Sequence, residues 1–245
     1  MLLVTFIVPT LNERHFDVSL DALTEHLAGI ADARFEILLV DDSRAEERAL
    51  LVRWVKERAS LAPKIEIQIV EGARRGKGHA ARLGALRSRG DVVFLMDADL
   101  PVPLSHIDEF LGRLRDGDCD VVIGERPKDR SAGKPLRQFL SRALLLLQQG
   151  IVFQGQEFED TQCGFKAFRG EVLRSLATRQ ITDGGMYDIE YLYMARLDGC
   201  KVVRVPVAAR PETRPSKIRL WKCAYTDPVA LLRIKATGIA GKYRK

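Results

Sequence analysis

What this 245-residue chain lacks is informative. Its four cysteines, Cys119, Cys163, Cys200 and Cys223, lie tens of residues apart with no C-x-x-C pair, and four histidines are too few to complete zinc sets. That spacing indicates neither a zinc site nor a disulfide framework, and reduced cytoplasmic thiols are the expectation. No apolar run reaches the ~20 residues of a membrane-spanning helix. The longest, Ala143 to Phe153, is broken by Gln148, Gln149 and Gly150. Met1 to Val8 has no basic n-region and meets Pro9 at once, which suits a buried first strand and implies no export signal. The Walker spacing G-x-x-x-x-G-K-[ST] is missing, and no G-x-G-x-x-G follows the first strand, so a P-loop is unsupported and dinucleotide binding loses ground. Aromatics are only 7% of the chain and no nucleic-acid module is recognisable, so no nucleic-acid partner is expected. There is no internal repeat and no low-complexity tract.

What is present describes a folded α/β domain. Hydrophobic residues make up 46% and charged residues 29%, the usual mix for a globular chain of one-domain size. Runs rich in β-branched residues recur at Leu2 to Val8, Phe35 to Val40, Ile65 to Val70, Val92 to Met96, Val121 to Ile123 and Val202 to Val207. Helix-length stretches separate the early ones: Asp17 to Ala31, Ala45 to Ala59, and Gly78 to Ser88 with Gly90 in the C-cap position. This alternation predicts a mostly parallel sheet flanked by helices. In such sheets ligands collect at the carboxyl ends of the strands, where this chain places Thr10, Asn12 and Glu13, then Asp41 and Asp42, then Asp97 and Asp99.

Charge is unevenly spread. The net value is +6, yet residues 201–245 hold twelve Lys or Arg against only Glu212 and Asp227, leaving that part at +10 and the rest at −4. Such asymmetry suggests an anionic partner for the C-terminal part, a phosphate-bearing substrate or a membrane surface ahead of nucleic acid, the alternative being a basic tail that is simply solvated. Leu136, Phe139, Leu140, Ala143, Leu144, Leu147 and Ile151 follow helical spacing, which predicts an amphipathic helix over 136–153 that either faces the core or lies on a membrane interface.

The chemistry-bearing residues form two groups. Asp97-Ala98-Asp99 ends an apolar strand, and residues two apart on an extended chain point to one side, so both carboxylates can approach one Mg²⁺ or Mn²⁺. A metal there stabilises the charge that builds on a departing nucleoside diphosphate. Arg74-Arg75-Gly76-Lys77-Gly78-His79 puts cations and glycines before a helix, and helix-start N–H groups and a lysine can hold phosphate.

The order and distances of the motifs then become specific. Val8-Pro9-Thr10-Leu11-Asn12-Glu13, Val40-Asp41-Asp42-Ser43, Gly76-Lys77-Gly78, Asp97-Ala98-Asp99, Ile123-Gly124-Glu125-Arg126, Asp160-Thr161-Gln162-Cys163-Gly164-Phe165-Lys166 and Tyr187-Asp188-Ile189-Glu190 together resemble the family 2 inverting glycosyltransferases of GT-A fold. Within them the D-T-Q-C-G-F-K segment looks like dolichyl-phosphate glucosyltransferases and mannose synthases. The resemblance covers roughly residues 3–220. It implies a single-domain nucleotide-diphospho-sugar transferase fold over 1–220, including helix 136–153, with 221–245 as a basic C-terminal helix or tail.

Carried over by position, the resemblance implies that Pro9, Leu11, Glu13, Asp41 and Asp42 surround base and ribose, and that Lys77 lies near the nucleotide. Asp97, Ala98 and Asp99 would meet the diphosphate, with Asp97 and Asp99 on the metal. Arg126 and the loop containing Arg214, Ser216 and Lys217 would meet phosphates of donor or acceptor. Mannose synthases of this group carry a glutamine two residues after the second aspartate, whereas this chain has Pro101, so metal coordination would draw on water or another carboxylate. Inverting transfer ordinarily uses a carboxylate base, for which Asp188 sits in the family's position and Asp160 is the rival. A lipid phosphate, with a second pKa near ~6, is already largely ionised and needs no strong base. The expectation is therefore transfer of a hexose from UDP-glucose or GDP-mannose to a polyprenyl or dolichyl phosphate. The enzyme would sit peripherally on the cytoplasmic face of a membrane, with room for a membrane partner subunit. Competing expectations are a soluble glycosyltransferase with a small-molecule acceptor, a nucleotidyltransferase, and a protein that binds anionic surfaces through its basic end.

Overall fold

The computed structural model describes residues 1–13, 16–58, 63–126, 142–153, 155, 158, 160–208 and 220–244, giving the backbone alone for 220–225. The strands are β1 Leu2–Thr10, β2 Ala33–Asp41, β3 Ile65–Glu71, β4 Val92–Leu95, β5 Val121–Glu125, β6 Lys166–Arg169 and β7 Val202–Pro206. The helices are α1 Phe16–Ala28, α2 Ala45–Arg58, α3 Lys77–Arg87, α4 His106–Arg115, α6 Gly170–Arg179, α7 Tyr187–Leu197 and α8 Leu220–Ile239. Between β5 and β6, α5 runs over 142–147 and continues as π-helix through Gln148–Phe153. The predicted amphipathic helix is thus present over its second half, and its residues 136–141 lie outside the described set.

The strands make one sheet in the order β3-β2-β1-β4-β6-β5-β7. All pairs are parallel except those of β6, which runs antiparallel to β4 and β5. The alternation of Cβ direction along a strand divides the core between the two faces. Val4, Phe6 and Val8 join Phe35, Ile37 and Leu39 beneath α1, α2 and α4, while Ile7, Leu38 and Val40 face α3, α6 and α7. Both faces are covered, so the central strands read as continuous apolar runs.

Local sequence explains the helices that aim the site. In α4, Ile107, Phe110, Leu111 and Leu114 are buried at i, i+3, i+4 and i+7, one stripe of a helix. In α3, Ala80, Ala81, Gly84 and Ala85 are buried small residues, and a Cβ at Gly84 would come 2.4 Å from Ile7 Cγ2. α3 therefore lies close on β1, which fixes the height of Lys77 at its first turn. Gly90 does not cap α3 as expected: the cap is Ser88, and Gly90 is needed where a Cβ would meet Thr5 Oγ1 at 2.6 Å. The basic C-terminal part is helical in α8, and Leu231, Ile234 and Tyr243 are buried with α7 and the π-helical stretch. Among the described residues no helix is long and apolar enough to cross a membrane.

Candidate active site at the strand ends

The carboxyl ends of β1 and β2 hold an interlocked polar cluster. Asp41 has no solvent exposure. Its carboxylate accepts from Thr10 Oγ1 at 3.0 Å, Ser43 N at 3.2 Å and Arg48 Nε at 2.8 Å. Burial pushes its pKa up, but the bonds from Ser43, Arg48 and Thr10 outweigh it and hold the group below the usual carboxylate range. Asp41 thus fastens β1 to β2. Asp42 accepts the Arg74 backbone N–H at 2.7 Å, and a Cβ at Gly72 would strike its Oδ1 at 2.1 Å. Asn12, with φ 50, bridges the two strand ends through Ser43 and Arg44. Pro9, Asn12 and Glu13 are half-buried around this cluster, and Leu11 is exposed.

The aspartate pair departs from the sequence argument. β4 ends at Leu95, and Asp97 to Leu100 form a turn closed by Leu100 N to Asp97 O at 3.1 Å, with φ 45 at Leu100. The two-residue alternation of an extended chain therefore does not govern Asp97 and Asp99. Asp97 is turned inward, where it pairs with Lys77, and Gly164 leaves it room: a Cβ there would meet Asp97 Oδ2 at 2.0 Å. Asp99 is exposed, with Ala98 buried between the two. Burial opposes the charge on Asp97, yet Lys77, followed by Lys166 and Arg126, holds it below the usual carboxylate range. Asp99 is shifted the other way, by partial loss of hydration and then by the neighbouring Asp97.

Lys77 enters from a tight loop. Gly76 has φ 129, and a Cβ on Gly76 or Gly78 would stand 2.6 Å from carbonyl oxygens of Asp183, or of Thr182 and Gly184. Lys77 also feels Tyr187 and Asp188, so α7 closes the floor of the site. There Asp188 is paired with Lys166, Nζ to Oδ1 2.8 Å, with side chains only 7% and 1% exposed, and Lys166 Nζ donates also to Cys163 O at 2.5 Å. At the end of β5 the Arg126 guanidinium grips both oxygens of Asp160. Burial works against the Arg126 charge and Asp160 more than restores it.

Lys77, Asp97, Asp188 and Arg126 with Asp160 are thus brought to one edge of the sheet, with Asp99 at its mouth. Arg214, Ser216 and Lys217 lie outside the described residues. Sequence reasoning missed Arg48, Lys166 and Tyr187 as members of the site. Lys166 stood in a quoted motif, and its place beside Asp188 depends on β6 pairing with β4, which no local pattern signalled.

A divalent cation suits these residues. Asp97 and Asp99 offer hard carboxylate oxygens, while no group of three or more His, Cys, Asp or Glu side chains that could hold a metal is gathered anywhere among the described residues, so any cation would be completed from outside the protein. Two carboxylates with water and substrate phosphates are an ordinary set for Mg²⁺.

The sequence model of Glycosyl transferase family 2 matches residues 5–177. A dolichyl-phosphate beta-glucosyltransferase of Trichomonas vaginalis is 29% identical over 216 residues, covering 83% of this chain and 64% of that protein. Similarly named proteins of Dictyostelium discoideum and Drosophila melanogaster are 27% and 28% identical, covering 83% and 84% of this chain and 65% and 66% of theirs. The chain thus spans somewhat less than two thirds of the length of these relatives. Among solved structures, Mycobacterium tuberculosis glucosyl-3-phosphoglycerate synthase with UDP superposes at TM-score 0.69, with 19% identity over 96% of this chain and 80% of that one. The same synthase with Mn²⁺, UDP-glucose and phosphoglyceric acid gives 0.63, with 18% identity over 94% and 78%. These likenesses establish the expected GT-A fold, with its mostly parallel sheet.

Proposed function

Since the chain belongs to glycosyl transferase family 2, we propose that it transfers a hexose, glucose first among candidates, with inversion from a nucleoside diphosphate sugar to a polyprenyl or dolichyl phosphate. The similarity to dolichyl-phosphate beta-glucosyltransferases supports the acceptor and the sugar, and the donor base, UDP or GDP, is left to the assay below. The carrying observation is that both candidate bases are committed to cations, Asp188 to Lys166 and Asp160 to Arg126. A hydroxyl acceptor needs its proton removed. A phosphate monoester is already anionic near neutral pH, and nothing else need accept a proton.

In this reading a phosphate oxygen of the acceptor forms the new bond to the anomeric carbon. The bond from that carbon to the donor diphosphate breaks, and the electron pair leaves with the nucleoside diphosphate. Lys77 balances the diphosphate charge from one side, and its contact with Asp97 keeps it in place. Asp97 and Asp99 would hold the divalent cation, which when bound supplies Lewis-acid stabilisation of the departing diphosphate. Asp42, Glu13 and Leu11 would surround base and ribose. Asp41 supports them from below.

A lipid acceptor requires a membrane surface, and α8 is suited to one. Val229, Leu232 and Ile239 are 52%, 58% and 76% exposed, and with exposed Ala236 they make a stripe at i, i+3, i+7 and i+10 beside exposed Arg233 and Lys242. Apolar side chains flanked by cations are what an anionic lipid interface accepts. Attachment through this face is the primary reading, and a membrane partner subunit the second; binding of the purified chain to lipid vesicles separates them.

The test is nucleoside diphosphate release from UDP-glucose and GDP-mannose with Mn²⁺ or Mg²⁺. It is run without acceptor, with a short polyprenyl phosphate and with phosphoglyceric acid, beside Asp99→Ala. Release from UDP-glucose that rises with the polyprenyl phosphate, and falls by at least about 100-fold in Asp99→Ala, is the expected result. Release that responds only to phosphoglyceric acid assigns a soluble acceptor. Release of pyrophosphate marks a nucleotidyltransferase.

A further inference from the structure

Two buried groups take no part in the chemistry above. Glu190, on α7, is wholly withdrawn from solvent, and Tyr243, beyond the end of α8, is 1% exposed. A buried carboxylate is costly unless it is hydrogen-bonded. That of Glu190 accepts from Ile181 N at 2.7 Å, Thr182 N at 2.9 Å and the Tyr243 hydroxyl at 2.7 Å. Tyr243 is fixed in turn by Arg179, which donates to its carbonyl oxygen while paired with Asp198, and by edge-on packing against Tyr193 with ring centroids 6.3 Å apart. The segment after α8 is therefore fastened to α6 and α7 and reaches the 181–184 segment through one carboxylate.

The other side of 181–184 is fastened to the loop that carries Lys77. His79 N donates to Asp183 O at 3.1 Å, Gln180 Nε2 to Gly78 O at 2.8 Å and to Thr182 O at 2.5 Å, and Arg75 pairs with Asp183 at 2.7 Å. There is no slack, because Gly76 and Gly78 lie too close to the carbonyls of 182–184 to admit even a Cβ. Close-packed groups transmit a displacement rather than absorb it.

We infer that Tyr243 is a positioning residue for the donor site: its hydroxyl, acting through Glu190, sets the 181–184 segment and with it the placing of the Gly76-Lys77-Gly78 loop against Asp97. The consequence for catalysis rests on the reading of Lys77 as a diphosphate ligand; the mechanical link does not. No charge is transferred along the path. Tyr243 contributes by completing the hydrogen bonds of a buried carboxylate, which otherwise has one acceptor site unmatched and a weaker hold on Ile181 and Thr182.

The experiment compares the full chain with Tyr243→Phe, which keeps the ring and removes one donor, and with Glu190→Gln, which keeps the shape but turns an amide donor toward backbone donors. Two readouts are used: amide hydrogen exchange, and steady-state kinetics of nucleoside diphosphate release. In Tyr243→Phe the amides of Ile181, Thr182 and His79 should exchange about tenfold faster while those of β1 and β2 are unchanged, with a larger effect in Glu190→Gln. KM for the donor should rise about three- to tenfold in Tyr243→Phe, with kcat within twofold. Unchanged exchange at His79 in both variants overturns the link, as does a uniform rise across the sheet, which marks general destabilisation. Faster exchange at the three amides with an unchanged donor KM upholds the link and removes Lys77 from the donor site.

Discussion

The pair at the floor of the site, Lys166 and Asp188, gives the most demanding test. Both side chains are nearly sealed from water, at 1% and 7% exposure, and meet at 2.8 Å. Removing one partner of such a pair leaves an uncompensated buried charge and costs about 3–5 kcal/mol. Lys166→Met does this to Asp188 and also leaves Cys163 O without its donor. Asp188→Asn is milder, because the amide oxygen can still accept from Nζ; a lost charge-assisted bond puts it at about 1–3 kcal/mol. The double variant removes both charges and should recover at least about half of the Lys166→Met loss, with a coupling energy of about 2 kcal/mol or more. Urea unfolding followed by fluorescence and circular dichroism measures all four proteins. For a chain of this size the Lys166→Met loss corresponds to a Tm fall of roughly 6–20 °C. Activity adds a second axis. Loss of a general base costs about 10²–10⁴-fold in rate, whereas a phosphate acceptor needs none, so folded Asp188→Asn should retain turnover within about tenfold. A Lys166→Met cost below about 1 kcal/mol refutes the energetic reasoning. A fully folded Asp188→Asn with turnover down more than about 100-fold refutes the base-free mechanism.

Other consequences can be measured separately. Gly78→Ala pushes a methyl to 2.6 Å from two backbone carbonyls; it should cost about 1–3 kcal/mol and raise the donor KM, and a variant with unaltered Tm and KM would contradict the packing described. The native pKa of Asp41 is depressed, so its contribution to stability is complete above the ordinary aspartate value of ~3.9 and is lost as pH falls through the lower native value. Asp41→Asn should therefore have a lower Tm at pH 7 and a flatter Tm profile between pH 5 and pH 2, measured by scanning calorimetry. The α8 stripe predicts sedimentation with vesicles containing phosphatidylserine, weakened by salt and abolished in Leu232→Asp with Ile239→Asp; equal binding by the variant would place the lipid contact elsewhere.

The ends of the sheet show where sequence reading holds and where it stops. β1 and β2 were legible because strands buried on both faces must be apolar throughout, and the polar residues directly after them stand out against that run. α7 offers no such contrast: Tyr187 through Ala195 are all buried, so no helical period survives. β6 is a four-residue strand bounded by Lys166 and Arg169, and its partners are set by a crossover rather than by its own composition. α4, by contrast, carries one apolar stripe at Ile107, Phe110, Leu111 and Leu114, the spacing of a single helix face. The candidate residues themselves were legible as motifs, but their mutual arrangement was not. Lys77 with Asp97, Lys166 with Asp188 and Arg126 with Asp160 are separated by 20, 22 and 34 positions, beyond any local period. These pairings carry the chemical conclusion. Read singly, Asp188 and Asp160 are two carboxylates available for proton abstraction; read with their partners, each is already matched to a cation, Asp188 to Lys166 and Asp160 to Arg126. Under the proposed transfer, a site built this way favours a nucleophile that arrives without a proton to lose, as a lipid phosphate would.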